Sequence, residues 1–260
     1  MFDVTPIPAF NDNYLWLLRA HGTRECGIVD PGDAAPVLKA LQDNDLTLAA
    51  IFITHHHADH TGGISRLLQE YDVPVYGPDS ANIPAVTHKL GQGDSIEVFG
   101  KQFHILDIPG HTLDHIAYYA EASDDDTPLL FCGDTLFAGG CGRVFEGTYS
   151  MMHQSLQKLA VLPPETRVYC AHEYTLANLK FAHAVTPEST ALAARIDRDN
   201  KLRQQNMPTV PTTIAAELQT NPFLRCSEED VAAAAANHSG QSLASPEAVF
   251  AVIRQWKDGF

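Results

Sequence analysis

The sequence predicts an α/β segment of short strands and a few helices as far as residue 172, followed by a small all-helical segment, 173–260. Short apolar runs of β-compatible residues, bounded by turn clusters, recur through the first part. After His172 such runs nearly vanish and helical spacing takes over. A chain of 260 residues with 45% hydrophobic residues can bury a substantial core in two domains of these sizes.

The elements follow in order. Tyr14 to Leu18 is a short apolar strand, and Cys26 to Val29 is another, stopped by the turn cluster Asp30-Pro31-Gly32-Asp33. Ala35 to Gln42 reads as a helix. Leu46 to Thr54 is apolar and β-compatible, and a histidine-rich run follows it directly. Ile64, Leu67, Leu68 and Tyr71 stand at helical spacing and predict a helix over 64–71. Strands are expected at 73–76, 95–99, 102–108, 116–119, 129–131 and 167–170, with a helix at 151–162 before the last. Asp124-Asp125-Asp126 reads as a solvated acidic turn. Beyond residue 172, helices are expected at 173–183, 188–205, 213–219, 228–237 and 246–257. Ser227 and Ser245 have the character of N-caps, the second with Pro246 at the first helical position.

The formal net charge is −15, which disfavours nucleic acid and anionic membranes as partners. No stretch is apolar for the ~18 residues that span a bilayer, and the start of the chain lacks the pattern of a signal peptide. The five cysteines are scattered, with no C-x-x-C pair, so neither a thiolate zinc site nor a redox pair is signalled. The expectation is a soluble, cytoplasmic, monomeric protein in a reduced compartment.

Chemistry concentrates in Thr54-His55-His56-His57-Ala58-Asp59-His60. His55, His57, Asp59 and His60 are four potential ligands within six positions, suited to zinc and other borderline divalent metals. One regular helix cannot aim all four at one ion. On a loop after a strand, His55 and His57 can face one ion while Asp59 and His60 turn toward a second. His111, Asp134 and His172 sit at comparable places after predicted strands, where loops commonly carry sites. The seven divide into His55, His57 and His111 for one metal and Asp59, His60 and His172 for the other, with Asp134 bridging. Two close metals lower the pKa of a bound water and polarise a carbonyl oxygen, so no serine or cysteine nucleophile is required. Asp59 and Asp134 are the catalytic carboxylates of this reading, Asp59 also as a proton acceptor. Zinc is the leading metal, and iron and manganese tolerate the same ligands. His56 is expected to point away, and His88, His104, His115, His153, His183 and His238, which carry no ligand spacing, are expected to be non-catalytic.

The run Thr-His-x-His-x-Asp-His, with Asp30, Pro109-Gly110-His111-Thr112, Gly133-Asp134-Thr135 and Ala171-His172-Glu173, resembles the signature of the metallo-β-lactamase superfamily. Ile7-Pro8-Ala9-Phe10, Asp12-Asn13-Tyr14, Cys141-Gly142-Arg143, His172-Glu173-Tyr174-Thr175 and Asn221-Pro222-Phe223-Leu224-Arg225 extend the likeness nearly end to end to the hydroxyacylglutathione hydrolases (glyoxalase II). That resemblance implies an αββα sandwich with a small helical domain after it. It makes Asp30 a support for the ligand loops. It implies that Arg143, Tyr174, Arg254 and Lys257 bind glutathione, the Arg-x-x-Lys pair taking the glycine carboxylate. The implied reaction is hydrolysis of S-(2-hydroxyacyl)glutathione thioesters, notably S-D-lactoylglutathione, in methylglyoxal detoxification. Some family members have lysine and tyrosine where this chain has Arg143 and Phe145, so a hydrogen bond from a hydroxyl is lost here. A mono-iron oxidoreductase of the persulfide dioxygenase kind is the alternative on the same scaffold.

Overall fold

The computed structural model describes residues 2–123 and 127–260, so the acidic run at 124–126 lies outside the described residues. Two compact units divide the chain: Met1–Asp107 with Asp114–Gly133, and Ile108–Leu113 with Asp134–Phe260. This division is not the single change of texture at residue 172. The loop at 108–113 joins the second unit because its backbone is held there: Ser155 Oγ donates to the Pro109 carbonyl at 2.7 Å, and Gly147 N–H to the Gly110 carbonyl at 3.1 Å.

The first unit begins with β1 (Phe2–Ala9), β2 (Asn13–Ala20), β3 (Glu25–Val29), α1 (Ala34–Asp43), β4 (Thr47–Phe52), α2 (Ala58–Thr61), α3 (Ile64–Leu67), β5 (Val75–Pro78) and β6 (His88–Leu90). Their sheet runs in the order β1-β2-β3-β4-β5-β6. The first two pairings are antiparallel and the next three parallel. The edge strand β1 escapes a pattern search because Pro6 and Pro8 interrupt it; an edge position tolerates a missing N–H. The helix expected at 64–71 closes after Leu67. The chain then continues through tighter i→i+3 bonds, Gln69 N–H to Arg66 O and Glu70 N–H to Leu67 O.

The unit continues with β7 (Ser95–Val98), β8 (Lys101–Asp107), β9 (Ile116–Ala120) and β10 (Leu129–Gly133), antiparallel in sequence order. One core cluster joins Leu15, Leu17 and Ile28 of the first sheet to Val37 and Leu41 of α1 and Ile64 and Leu67 of α3. On the opposite face, the Phe52 ring meets Phe103 of β8 at 6.4 Å and the edge of Tyr118 of β9 at 5.6 Å. Tyr118 also spends its hydroxyl on the Ile53 carbonyl at 2.8 Å, which satisfies a polar group inside that layer.

The parallel pairing of β3 with β4 has a direct consequence for the site. Val29 and Phe52 are register partners, so the chain leaves both strands side by side at their carboxyl ends. Asp30 N–H bonds Phe52 O at 2.8 Å, which places Asp30 next to the start of the histidine run. Open α/β sheets hold their sites at this end.

The second unit contains β11 (Leu136–Phe137), β12 (Gly140–Cys141), α4 (Tyr149–Ala160), β13 (Arg167–Cys170), α5 (Thr175–Val185), α6 (Thr190–Gln204), β14 (Thr212–Thr213), α7 (Ile214–Thr220), α8 (Glu229–Ser239) and α9 (Pro246–Asp258). β11 and β12 form a two-residue hairpin, and β13 pairs antiparallel with β14. Ser245 caps α9 as its sequence predicts, accepting from Ala248 N–H. Ser227 does not cap α8. Glu228 N–H closes a turn on Arg225 O, so the helix starts one residue later, with Glu228 at the cap position. Phe181, Phe223, Phe250 and Trp256 form an aromatic cluster among α5, the segment after α7, and α9.

Candidate metal centre

The first unit contributes His55, His57, Asp59 and His60 from the β4–α2 loop and α2. Small residues let this loop fold close. A Cβ on Gly32 would overlap the Asp59 backbone, and one on Gly63 would overlap the Pro31 carbonyl. His55 Nε2 faces His57 Nδ1 at 3.1 Å, and the His55 and His60 ring centroids are 4.1 Å apart. His60 Nε2 lies 3.5 Å from Asp59 Oδ2, which also accepts from Asn13 Nδ2 at 3.0 Å.

Asp30 sets the proton positions. It is buried, and its Oδ1 accepts the Thr54 N–H at 2.8 Å. Its Oδ2 accepts the Thr54 hydroxyl at 2.8 Å and faces His60 Nδ1 at 3.0 Å. A carboxylate oxygen only accepts, so the His60 proton sits on Nδ1 and the lone pair on Nε2. The Thr54 hydroxyl points its hydrogen at Asp30, so at 3.1 Å its oxygen accepts from His55 Nδ1, which leaves a lone pair on His55 Nε2. One carboxylate thereby orients two imidazoles with bare Nε2 atoms, the arrangement in which a metal-binding histidine is held.

The second unit contributes His111, Asp134 and His172. Asp134 lies between two imidazoles: Oδ2 is 3.3 Å from His111 Nε2 and Oδ1 is 3.3 Å from His172 Nε2. His111 Nδ1 donates to the Arg143 carbonyl at 2.8 Å, so its Nε2 presents a lone pair to the carboxylate. Lone pairs facing at this separation repel unless a cation lies between them. A carboxylate with an imidazole nitrogen on each oxygen is the donor set of a bridging ligand. The donors of both units fit divalent metals of the zinc class, with nitrogen and carboxylate oxygen and no thiolate.

Tyr174 stacks on the His172 ring, with centroids 4.7 Å apart and planes 4° apart, and Phe137 meets both rings edge-on. Phe145 is 62% exposed beside the His111 ring, 5.3 Å from it. Arg143 is largely exposed, 3.8 Å from Asp258. Arg254 and Lys257 share one face of α9 but differ in surroundings. Arg254 is 3% exposed, with Nη1 donating to the Cys141 carbonyl at 3.0 Å and Nη2 to Asp258 at 2.9 Å. Lys257 is part-exposed above the Phe181 ring. Burial, and then the neighbouring Arg254, hold its ammonium pKa below the ordinary lysine range.

His56 turns to Asp114, with Nδ1 2.9 Å from the carboxylate. His115, expected to be non-catalytic, lies beside the ligand loop. It is buried and stacked on His55, centroids 4.5 Å apart, with Nδ1 on the Ile116 carbonyl. Its position at the mouth of β9 was the signal: it follows the ligand-bearing loop by a few residues and precedes an apolar strand. Asn13 and Thr54 stand inside motifs of the resemblance, but the sequence assigns neither of them a role. None of the five cysteines forms a disulfide, and all are buried. Burial raises the Cys26 and Cys170 thiols to about 12 and pushes up Cys141 and Cys226 as well, so these four are not poised as nucleophiles.

The metallo-β-lactamase superfamily model matches residues 11–172, and the model of the hydroxyacylglutathione hydrolase C-terminus matches residues 173–260. A hydroxyacylglutathione hydrolase of Pseudomonas paraeruginosa (strain DSM 24068 / PA7) is 53% identical over 261 residues, covering 100% of both chains. One of Nitrosomonas europaea is 50% identical, over 100% of this chain and 97% of that one. Among solved structures, ETHE1 from Myxococcus xanthus is similar with a TM-score of 0.63 and 25% identity, over 99% of this chain and 98% of the other. TTHA1623, crystallised in a di-iron-bound form, has a TM-score of 0.59 and 27% identity, over 85% of this chain and 100% of the other.

Proposed function

The chain belongs to the hydroxyacylglutathione hydrolase family of the metallo-β-lactamase superfamily, and from that premise we propose that it hydrolyses S-(2-hydroxyacyl)glutathione thioesters, S-D-lactoylglutathione among them, to glutathione and a 2-hydroxy acid. Its fold is the α/β fold of that superfamily with a helical C-terminal segment. The observation that carries the reading is the match of residues 173–260 to the C-terminal family model, because the histidine and aspartate donors alone are common to a superfamily of many substrates.

We assign His55, His57 and His111 to one divalent ion and Asp59, His60 and His172 to another, with Asp134 shared. When bound, such a pair lowers the pKa of water and polarises the thioester carbonyl. Zinc suits the donors, as do iron and manganese. Asp30 and Thr54 hold the tautomers of His60 and His55, and the Arg143 carbonyl holds that of His111. Asp59, fixed by Asn13, is placed to accept a proton. The leaving thiolate, with a thiol pKa of about 8.5, needs no strong general acid. Arg143, Tyr174 and Lys257 offer accessible groups to the glutathionyl moiety. Arg254, buried behind them, adds positive field and binds the loop. The functional domains of this reading are 1–172 for catalysis and 173–260 for substrate binding. No helix of the described residues is long and apolar enough to cross a membrane. We place the activity in methylglyoxal detoxification in the cytoplasm, carried out by a monomer. The paired imidazoles on Asp134 and the C-terminal match favour this hydrolase over a mono-iron oxidoreductase.

The test mixes metal-replete protein with S-D-lactoylglutathione and follows thioester absorbance and thiol release. Metal-dependent loss of thioester with stoichiometric thiol is expected; none would sink the proposal.

A further inference from the structure

We propose that the helices of the second unit also act on the reaction through the segment 136–143, with Asn221 and Glu217 as the positioning residues of that hairpin, an inference that rests on the thioester hydrolase reading above. The hairpin is two residues long on each side, pairing only Leu136 with Cys141 and Phe137 with Gly140. Isolated pairings of this size are marginal in water. Its backbone is held instead by side chains from the helical segment. Asn221 Nδ2 donates to the Gly140 carbonyl at 2.9 Å and the Phe137 carbonyl at 3.3 Å. Asn178 Nδ2 donates to the Ala138 carbonyl at 3.2 Å. Glu217 Oε2 accepts the Gly139 N–H at 2.8 Å, and Arg254 Nη1 donates to the Cys141 carbonyl at 3.0 Å. Five successive residues, 137–141, are therefore fixed by four side chains distant in sequence.

Asn221 and Glu217 are fully buried and bonded to each other at 2.9 Å. The other oxygen of Glu217 accepts from Arg195 Nη2 and the Thr212 hydroxyl, each at 2.6 Å, and Arg195 also faces Asp199. A buried charge network is costly unless fully satisfied, and here both carboxylate oxygens of Glu217 are spent. The network ends on the hairpin, and the hairpin ends on the site. Gly142 N–H bonds the Thr135 carbonyl at 3.1 Å, and the Gly142 Cα packs so close that a Cβ would overlap the Asp134 carbonyl. The Arg143 carbonyl accepts a hydrogen bond from His111 Nδ1 at 2.8 Å. Displacement of the hairpin thus moves Arg143 and frees the tautomer of His111 together.

The test compares Glu217→Gln and Asn221→Ala with Val231→Ala, which removes buried volume from α8 and none of these hydrogen bonds. Amide exchange at 139–143, glutathione affinity by calorimetry, and KM and kcat on S-D-lactoylglutathione are measured beside the thermal midpoint. Both network variants are expected to exchange faster in the hairpin than Val231→Ala, and to raise KM and weaken glutathione binding by up to the ~10²-fold that a ~1 Å misplacement of a site can cost. Asn178→Ala, which loses one bond to Ala138 O, serves as the milder variant if either fails to fold. KM and glutathione affinity matching those of Val231→Ala overturn the inference, whatever the exchange rates. A wild-type protein that neither binds glutathione nor cleaves the thioester refutes the function reading instead. The exchange data, which need no substrate, still report whether the network holds the hairpin.

Discussion

Asp30→Asn isolates the effect of one carboxylate on two imidazoles. The side chain keeps its shape and loses one acceptor oxygen. Asp30 accepts three hydrogen bonds, from the Thr54 N–H, the Thr54 hydroxyl and His60 Nδ1, at 2.8, 2.8 and 3.0 Å. If the new amide nitrogen replaces Oδ1, it confronts the Thr54 N–H. If it replaces Oδ2, it confronts the hydroxyl and the imidazole, and the His60 proton moves to Nε2, where a metal would bind. At least one buried donor is stranded either way, at about 1–3 kcal/mol. Loss of such a supporting group weakens metal binding by about 10–100-fold, or roughly 1.4–2.7 kcal/mol. Urea unfolding of the apo-protein reads the first cost, and competition with a chromophoric chelator reads the second. Asp30→Ala removes both acceptor oxygens, so its result does not depend on which way an amide turns. Loss of stability in Asp30→Ala with zinc bound as tightly as in wild type would refute the tautomer argument and leave Asp30 as a turn residue.

Asp134→Ala removes the carboxylate between His111 and His172. Metal content by elemental analysis should fall, and kcat should drop by at least ~10²-fold, as for loss of a central electrostatic group; a fully active variant would exclude its bridging role. Gly142→Ala drives a methyl group into the Asp134 carbonyl, so KM and metal content should both change although no functional group is lost. For Lys257, folding disfavours the charged amine, because burial and Arg254 lower its pKa. That costs stability at neutral pH, and the cost fades as pH rises. Substrate carboxylate favours the charged amine, so KM should rise with pH before the ordinary lysine value of about 10.4 is reached. Lys257→Met should raise KM at neutral pH and remove that alkaline limb.

The candidate donors were legible because metal chemistry restricts ligands to few residue types, and these stand at strand ends. The helices of the second unit were legible because their apolar spacing and caps are local, as at Ser245. What escaped depends on contacts remote in sequence. β1 carries two prolines that only an edge strand accommodates. His115 carries no ligand spacing, and its stacking on His55 arises because Ile116 N–H bonds the Thr54 carbonyl, bringing β9 beside the loop. Arg254 is expected beside Lys257 as a ligand for the glycine carboxylate, and nothing local marks it as buried. Its burial follows from the approach of the Cys141 carbonyl, 113 residues away. Asn221 enters the sequence reading only inside a motif of the resemblance, and Glu217 only as a position of the helix expected at 213–219. Their hold on the hairpin needs contacts 81 and 78 residues away in sequence.

The burial of the cysteines bears on the company this protein keeps. An enzyme that liberates a thiol works in a pool of that thiol and its oxidised disulfide. Exchange with such a pool begins at an accessible thiolate. All five sulfurs are enclosed, and four of them are held in the protonated form by the protein interior. The chain is thus built to release its proposed product without being capped by it. Its activity should persist through swings in the glutathione redox balance that would silence an exposed cysteine.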